Sequence, residues 1–397
     1  MNVGVTKRQY LHKPLLIILL SIALISCLAI ASAVPLISVP NTDPNSFWHN
    51  QIKWYIIGFI VLFIVYKFGN ERVYSCAWIF YWFLMFLLVL LVIDHRGWLN
   101  IPFAQNINGA TSWFVLPGGS IQPSEFMKMV LIVVLSKIVE EHNTLYPLHT
   151  FETDCKLLLK IAGATLPPCA LIYLQNDAGV TFIILVSVAF LLFSSGLQMR
   201  WFIFGASVVL IAIIGLCYIF LFNQDLFKQI FSGHKAERFY GWLDPEGTHQ
   251  NQGFQLFYAL LSYGTASITG HGFQSYVMPF PEAYTDFIFA VIAQGAGLIG
   301  AFVVLGLIIA LDVTILNIGL HSTERHRSLA TGLFGILFIQ QFWNIGMVTG
   351  LVPITGITLP LLSYGGSSLL SYMIMFGLIF DIEKQNRIKR SKILTYQ

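Results

Sequence analysis

The sequence predicts an all-α, polytopic integral membrane protein with about ten transmembrane helices and one long extracellular loop. Three observations carry that expectation. Hydrophobic residues make up 56% of the 397-residue chain and charged residues only 10%. The mean hydropathy is +0.73. Apolar runs long enough to cross a bilayer recur from end to end, so residues 1–397 read as a single transmembrane domain. The net charge of +3 does not indicate a nucleic-acid partner, because in such a chain the placement of Lys and Arg matters more than their sum.

Apolar stretches of spanning length fall at roughly 14–34, 51–67, 73–93, 157–174, 179–198, 201–222, 286–311 and 328–350. Two further candidates carry embedded polar groups: roughly 122–139, opening with Gln122, Pro123, Ser124 and Glu125, and roughly 360–380, opening with Pro360 and the run SYGGSS. Counting both gives ten, an even number that puts both termini on one side. Basic residues decide which side that is, since they gather on short cytoplasmic loops. With the N-terminus inside, that side receives Lys7, Arg8, Lys13, Lys67, Arg72, Lys137, Lys156, Lys160, Arg200, Arg325, Arg327 and a basic tail at about 382–397. The other side keeps Lys53, Arg96, Lys228, Lys235 and Arg238, which favours cytoplasmic N- and C-termini. The first span follows a basic N-terminus but lacks a clear small-residue cleavage site, and reads as an uncleaved helix. Cys27, Cys76, Cys155, Cys169 and Cys217 show no CxxC spacing and read as small core hydrophobes. No Walker A motif and no GxGxxG before a helix appears, which argues against an ATP-driven pump.

The unusual polar sequence falls on the outer side of this topology. Glu125 and Lys128 are three residues apart at a helix start opened by Pro123, so they share a face. Two readings stand: an ion pair at a helix start, or a cavity pair that orients a polar substrate. Asp177, in LQNDAG, is either a helix cap or a site carboxylate. The segment 223–285 is far longer than an ordinary loop and mixes glycines with aromatics, as an ordered, partly membrane-associated lid would. Its Lys235 and Arg238 suit either phosphate oxygens or lipid headgroups. It ends at PEAYTDFIFA, where Glu282 and Asp286 meet the start of a span; carboxylates there are costly to desolvate, which points to chemistry, binding or a proton path. In 351–370, Pro353 and Pro360 break helix, Gly356, Gly365 and Gly366 permit close backbone approach, and Ser363, Ser367 and Ser368 offer hydroxyls. This is either a re-entrant loop before a tightly packed helix or a site whose N–H groups face an anionic headgroup.

Seven motifs occur in order: NGA-x-x-W (108–113), QPSEF-x-K (122–128), Q-x-D-x-G (175–179), R-x-x-x-WLDPE (238–246), PE-x-x-TDFIFA-x-I (281–292), N-x-G (344–346) and P-x-TGI-x-LP-x-x-SYGGSS (353–368). Together they resemble the SEDS family of cell-wall proteins (RodA, FtsW, SpoVE), with RodA favoured, over essentially the whole chain beyond the first two spans. The resemblance implies a ten-helix peptidoglycan glycosyltransferase of the bacterial cytoplasmic membrane. Such a protein polymerises lipid II into glycan strands on the outer face in elongation, division or sporulation, beside a class B penicillin-binding protein that crosslinks the glycan. Alternatives of other classes are a lipid II flippase or carrier and a non-catalytic scaffold for a transpeptidase.

By this resemblance Asp286 is the catalytic base. The resemblance puts Glu125 and Lys128 on the family's cavity pair and Asp177 on the acidic position after its fifth helix; Arg238, Glu282, Ser363, Gly365, Gly366 and Ser367 are, from their own chemistry, further expected substrate-binding positions. Lys128, Arg238 or a divalent cation would stabilise the departing diphosphate; no cofactor is otherwise implied. Partners are lipid II, the growing strand, the transpeptidase and membrane lipid. The chain departs from the pattern at Tyr284, where relatives usually carry His, at Gln294 and Gly295 in place of an acidic pair, and at Thr111 and Ser112 after NGA.

Overall fold

A computed structural model describes residues 11–37, 42–107, 109–116, 119–230, 234–275 and 277–395. Lys7, Arg8, Asn108 and Gly233, and the side chains of Lys228 and Lys235, lie outside the described residues. Among the described residues, eight helices are long and apolar enough to cross a membrane: α1 (Lys13–Ala33, its span continuing to Leu36), α2 (Asn45–Phe68), α3 (Asn70–His95), α5 (Phe151–Leu174), α7 (Met199–Phe222), α11 (Ile288–Leu320), α12 (Glu324–Val348) and α13 (Gly366–Thr395). Two more complete the ten expected segments. The 23-residue α4 (Pro123–Leu145) has charged residues within its span, and α6 (Ala178–Phe193) has only 16 residues. Both lie inside the bundle, α6 against α12 and α4 among α3, α12 and α13.

Local chemistry sets the helix starts that matter here. Pro123 opens α4 at a position where its missing N–H costs nothing. The Asp177 side chain caps α6 by accepting from Val180 N–H at 3.1 Å. Pro353 and Pro360 keep the chain between α12 and α13 out of helix, and Gly356 there takes φ +77°.

The connections hold more structure than loops. Between α3 and α4 lies a small antiparallel sheet of β1 (Ala104–Ile107), β2 (Ala110–Leu116) and β3 (Gly119–Ile121), with Ala104 opposite Phe114 and Phe114 opposite Ile121. It is an addition to an otherwise helical fold, and Trp113, Phe114 and Val115 are strand-favouring residues. The long segment after α7 contains α8 (Gln224–Ile230), α9 (His234–Leu243) and α10 (Phe254–Gly264). It docks on the C-terminal end of α12, where Trp242 Nε1 donates to Gly350 O at 2.8 Å and Tyr263 Oη to Val348 O at 3.3 Å.

The same segment repairs a break in α11. At Gly297 the backbone leaves the helix (φ 64°, ψ −157°), freeing groups that an apolar setting cannot hydrate. Leu298 and Ile299 N–H donate to Ser267 and Ile268 O, both at 3.2 Å, while Gln294 and Gly295 O accept from His271 and Gly272 N–H at 2.9 and 3.0 Å. Gln294, one of the departures noted above, also donates to Ser275 O at 2.7 Å and accepts from Ser262. A Cβ at Gly297 would overlap the backbone of Ile268 and Gly270, whereas one at Gly306 in the same helix meets nothing within 4 Å. Gly297→Ala is therefore expected to lose roughly 2–3 kcal/mol, from a glycine-only conformation and a disrupted interlock, and Gly306→Ala is expected to be neutral or slightly stabilising. Thermal unfolding of the two purified variants in detergent checks this; equal midpoints would show that the interlock does not stabilise α11.

Candidate active site

The carboxylates of the PEAYTDFIFA stretch sit on a turn that immediately precedes α11. Glu282, at φ 55°, accepts on its carbonyl from Thr285 and Phe287 N–H at 3.2 and 3.1 Å, and its Oε2 accepts from Thr285 Oγ1 at 2.5 Å. Three outside groups fix the turn. Asn344 Nδ2, fully buried on α12, donates to both Asp286 O and Ile357 O at 2.7 Å. Ser363 Oγ donates to Thr285 O at 2.7 Å, and Tyr364 N–H to Tyr284 O at 2.9 Å.

Asp286 is aimed by this frame at Gly356 and Arg238. A methyl at Gly356 would stand 3.2 Å from Asp286 Oδ2 and 3.8 Å from Arg238 Nη1, so both side chains converge on a glycine without a side chain to intervene. Burial pushes the Asp286 carboxyl up to about 7; the negative charge of Glu282 adds to the rise and the Arg238 guanidinium opposes it. Arg238, from α9, is itself exposed. Tyr284 packs with Phe47 and Tyr364 at ring separations of 4.6 and 6.0 Å, and burial pushes its phenol up to about 12.

A second polar group lies at the start of α4. Lys128 Nζ is completely buried, pairs with Glu125 Oε2 at 2.8 Å, donates to Gln340 Oε1 at 3.3 Å and to Tyr372 Oη at 3.4 Å, and lies 5.0 Å from the Tyr372 ring centre. Asp177 Oδ2 accepts from Gln122 Nε2 at 2.9 Å. Burial raises its carboxyl to about 6; the Val180 N–H opposes that, Glu125 adds to it, and Gln122 and Lys128 oppose it. The two groups share a support. Gln340 and Asn344 are four residues apart on α12 and so lie on one face, about 6 Å apart along the axis. One reaches Lys128 and the other the Asp286 turn. A methyl at Gly179 would lie 3.5 Å from Ile357 Cγ1 and 3.9 Å from Asp177 Oδ1, which puts the α6 cap beside the same 353–363 segment.

Residues 13–388 match the model of the FtsW, RodA and SpoVE family of cell cycle proteins. The chain belongs to this family. It is 30% identical over 387 residues to the peptidoglycan glycosyltransferase MrdB of Escherichia coli, covering 96% of this chain and 95% of MrdB. Among solved structures it resembles a chain from work on structural coordination of polymerization and crosslinking by a peptidoglycan synthase complex, with a TM-score of 0.75, 25% identity and coverage of 95% and 98% of the two chains. It shares the fold of the rod shape determining protein RodA of Thermus thermophilus, with a TM-score of 0.66, 23% identity and coverage of 96% and 99%. The multi-pass membrane architecture is thus that of the family.

Set on this FtsW/RodA/SpoVE fold, the sequence-derived positions divide in three. Asp286, Glu282 and Arg238 form one group, and Glu125, Lys128 and Asp177 a second. The glycine–serine positions form the scaffold between them: Ser363 holds the Asp286 turn, while Ser367 Oγ donates to Ser120 O at 2.6 Å and accepts from Gln122 N–H at 3.2 Å. Gly366 abuts the Trp54 ring so closely that a Cβ would overlap it, whereas a Cβ at Gly365 would meet only Ser368, at 3.9 Å. Sequence reasoning assigned no role to Gln122, Gln340, Asn344 or Tyr372. For Gln340 and Asn344 the signal was there: amides inside an apolar span. Lys128→Met would leave Glu125 buried without its cation, and is expected to cost roughly 3–5 kcal/mol. Adding Glu125→Gln should restore most of it. Denaturant unfolding in detergent distinguishes this from a pair of no structural weight, for which the single and double variants would match the parent.

Proposed function

We propose that the chain is a peptidoglycan glycosyltransferase that polymerises lipid II, with Asp286 as the general base. The observation that carries this reading is the Asp286 carboxylate itself: partly buried, raised to about 7, and converging with Arg238 at Gly356. A base with a pKa near the working pH combines a useful ionised fraction with real proton affinity. The names of the relatives support the reaction class.

In the proposed reaction Asp286 removes the proton from the 4-hydroxyl of the acceptor GlcNAc. The hydroxyl oxygen attacks the anomeric carbon of the donor, the bond to the lipid diphosphate breaks, and an α-linked diphosphate becomes a β-1,4 glycoside. The departing diphosphate takes the bonding electron pair, and Arg238 meets its charge through a bidentate fork. Glu125, Lys128 and Asp177, with Gln122, orient polar groups of the substrate. Ser363 and Ser367, with Gly366 close-packed on Trp54, hold the backbone that frames both groups. Among the described residues no group of three or more His, Cys, Asp or Glu side chains converges to hold a metal ion.

The distribution of Lys and Arg supports placing this site on the outer face of the bacterial cytoplasmic membrane, with both termini cytoplasmic. A class B penicillin-binding protein is the proposed partner, which the likeness to a chain of a synthase complex supports. With purified protein, cognate transpeptidase and labelled lipid II, Asp286→Ala should lower glycan synthesis at least 10²-fold, in line with the contribution of a general base. The activity of the parent should fall as pH drops through about 7, where Asp286 gains its proton. Glu282→Gln removes a charge that raises Asp286 and should move that limb to lower pH; Arg238→Gln should move it higher. Equal synthesis by parent and Asp286→Ala would remove the base role, and no synthesis by either would favour a scaffold.

A further inference from the structure

At the end of the bundle opposite Asp286, α1, α11 and α13 line a half-open cavity of about 380 Å³ that no step of the proposed reaction uses. Val313 and Ile318 of α11 contribute apolar wall, and His12, His321, Glu383, Arg387 and Arg390 contribute polar groups. The span of α1 begins at Lys13, one residue after His12, and that of α11 ends at Leu320, one residue before His321. The polar groups therefore stand at the level where hydrocarbon gives way to headgroups, and the apolar wall lies on the hydrocarbon side.

His12 and the two arginines present donors to the cavity. His12 Nδ1 accepts from Leu15 N–H at 3.1 Å, which leaves the ring proton on Nε2. His321 Nδ1 donates to Asn317 O at 2.8 Å, which leaves Nε2 of the neutral ring an acceptor. Arg387 is paired with the buried Glu383 through Nε at 2.6 Å, which fixes the guanidinium in the wall. Among the described residues Arg390 pairs with no carboxylate, so the cavity keeps a net positive charge. A bare surface stripe of Lys and Arg would satisfy the orientation rule equally well. It would not need a recess with an apolar wall and a guanidinium held by a buried carboxylate.

We propose that this cavity seats the headgroup of an anionic phospholipid, its phosphodiester among Arg387, Arg390 and His12 and its first acyl carbons along Val313 and Ile318. The ligand chemistry, a singly charged phosphate ester, is shared with free phosphate in solution; the apolar wall favours the lipid. Because the cavity touches the far ends of α11 and α13, the inference stands whether or not the glycosyltransferase reading does.

Native mass spectrometry of the full chain released from detergent tests it. The parent should retain phosphatidylglycerol in preference to phosphatidylethanolamine, and inorganic phosphate at millimolar concentration should not displace it. Arg390→Gln, at an exposed position where folding is not at stake, should weaken retention about fivefold, the effect of one basic residue near a membrane surface. The double variant Glu383→Gln with Arg387→Gln leaves net charge unchanged but removes the fixed fork, and should weaken it further. Equal retention of the two lipids, or of phosphatidylglycerol by parent and Arg390→Gln, overturns the proposal. Full displacement by inorganic phosphate overturns it as well, by assigning the cavity to a soluble anion.

Discussion

The amide of Asn344 is the contact on which the rest of the site depends. Its two Nδ2 hydrogens go to Asp286 O and Ile357 O, joining two stretches of non-helical backbone where they meet the apolar bundle. Unpaired carbonyls in such a place are expensive, and no regular secondary structure is available there to satisfy them. A buried side chain with two donors in fixed geometry solves both at once. It thereby sets the position of the Asp286 turn relative to the 353–363 segment, and with it the approach of Asp286 to Gly356.

That arrangement explains why α12, though a spanning helix, carries Gln340 and Asn344 on one face. Gln340 accepts from Lys128 and from Tyr372, and Asn344 donates to the turn. One rigid helix therefore registers the buried ion pair of α4 against the carboxylate that precedes α11. A fully buried Lys–Glu pair gives little net stability, since desolvation offsets most of the Coulomb attraction. Its retention is better explained by what it positions: a charged group close to the Asp177 cap, inside a bundle that would otherwise pack with Leu and Val.

Most of the helical frame was legible in the sequence because bilayer-length apolar runs are a strong, local signal. The edges of α1 and α3 follow it closely, and even the polar α4 announced itself through Pro123. Asp286 and Glu282 were legible for the converse reason, as carboxylates where a span begins. Tertiary hydrogen bonding was not. The hydroxyls of Ser363 and Ser367 looked from sequence like groups facing a ligand, yet they are occupied with Thr285 O, Ser120 O and Gln122 N–H. Nothing local could show that, because the partners lie 78 and about 250 residues away. The break of α11 at Gly297 was hidden likewise, since glycine is common in membrane helices and only the facing 267–272 backbone makes this one obligatory.

Tyr284 shows how a departure from the expected pattern is absorbed. A histidine there would offer Asp286 a neighbour that titrates in the same range and so could share a proton with it. The phenol, raised to about 12 and packed between Phe47 and Tyr364, stays neutral and cannot. The proton affinity of Asp286 must then be set by burial and by fixed charges alone. Glu282, held by Thr285 on the same turn, pushes it up, and Arg238, delivered by the docked α9, pulls it down. The balance reaches about 7 without a histidine, and it depends on the docking of the long segment through Trp242 and Tyr263. In this chain the loop that carries Arg238 is therefore part of the electrostatics of the carboxylate, and a shift of α9 away from Gly356 would remove the opposing charge and leave Asp286 a stronger base.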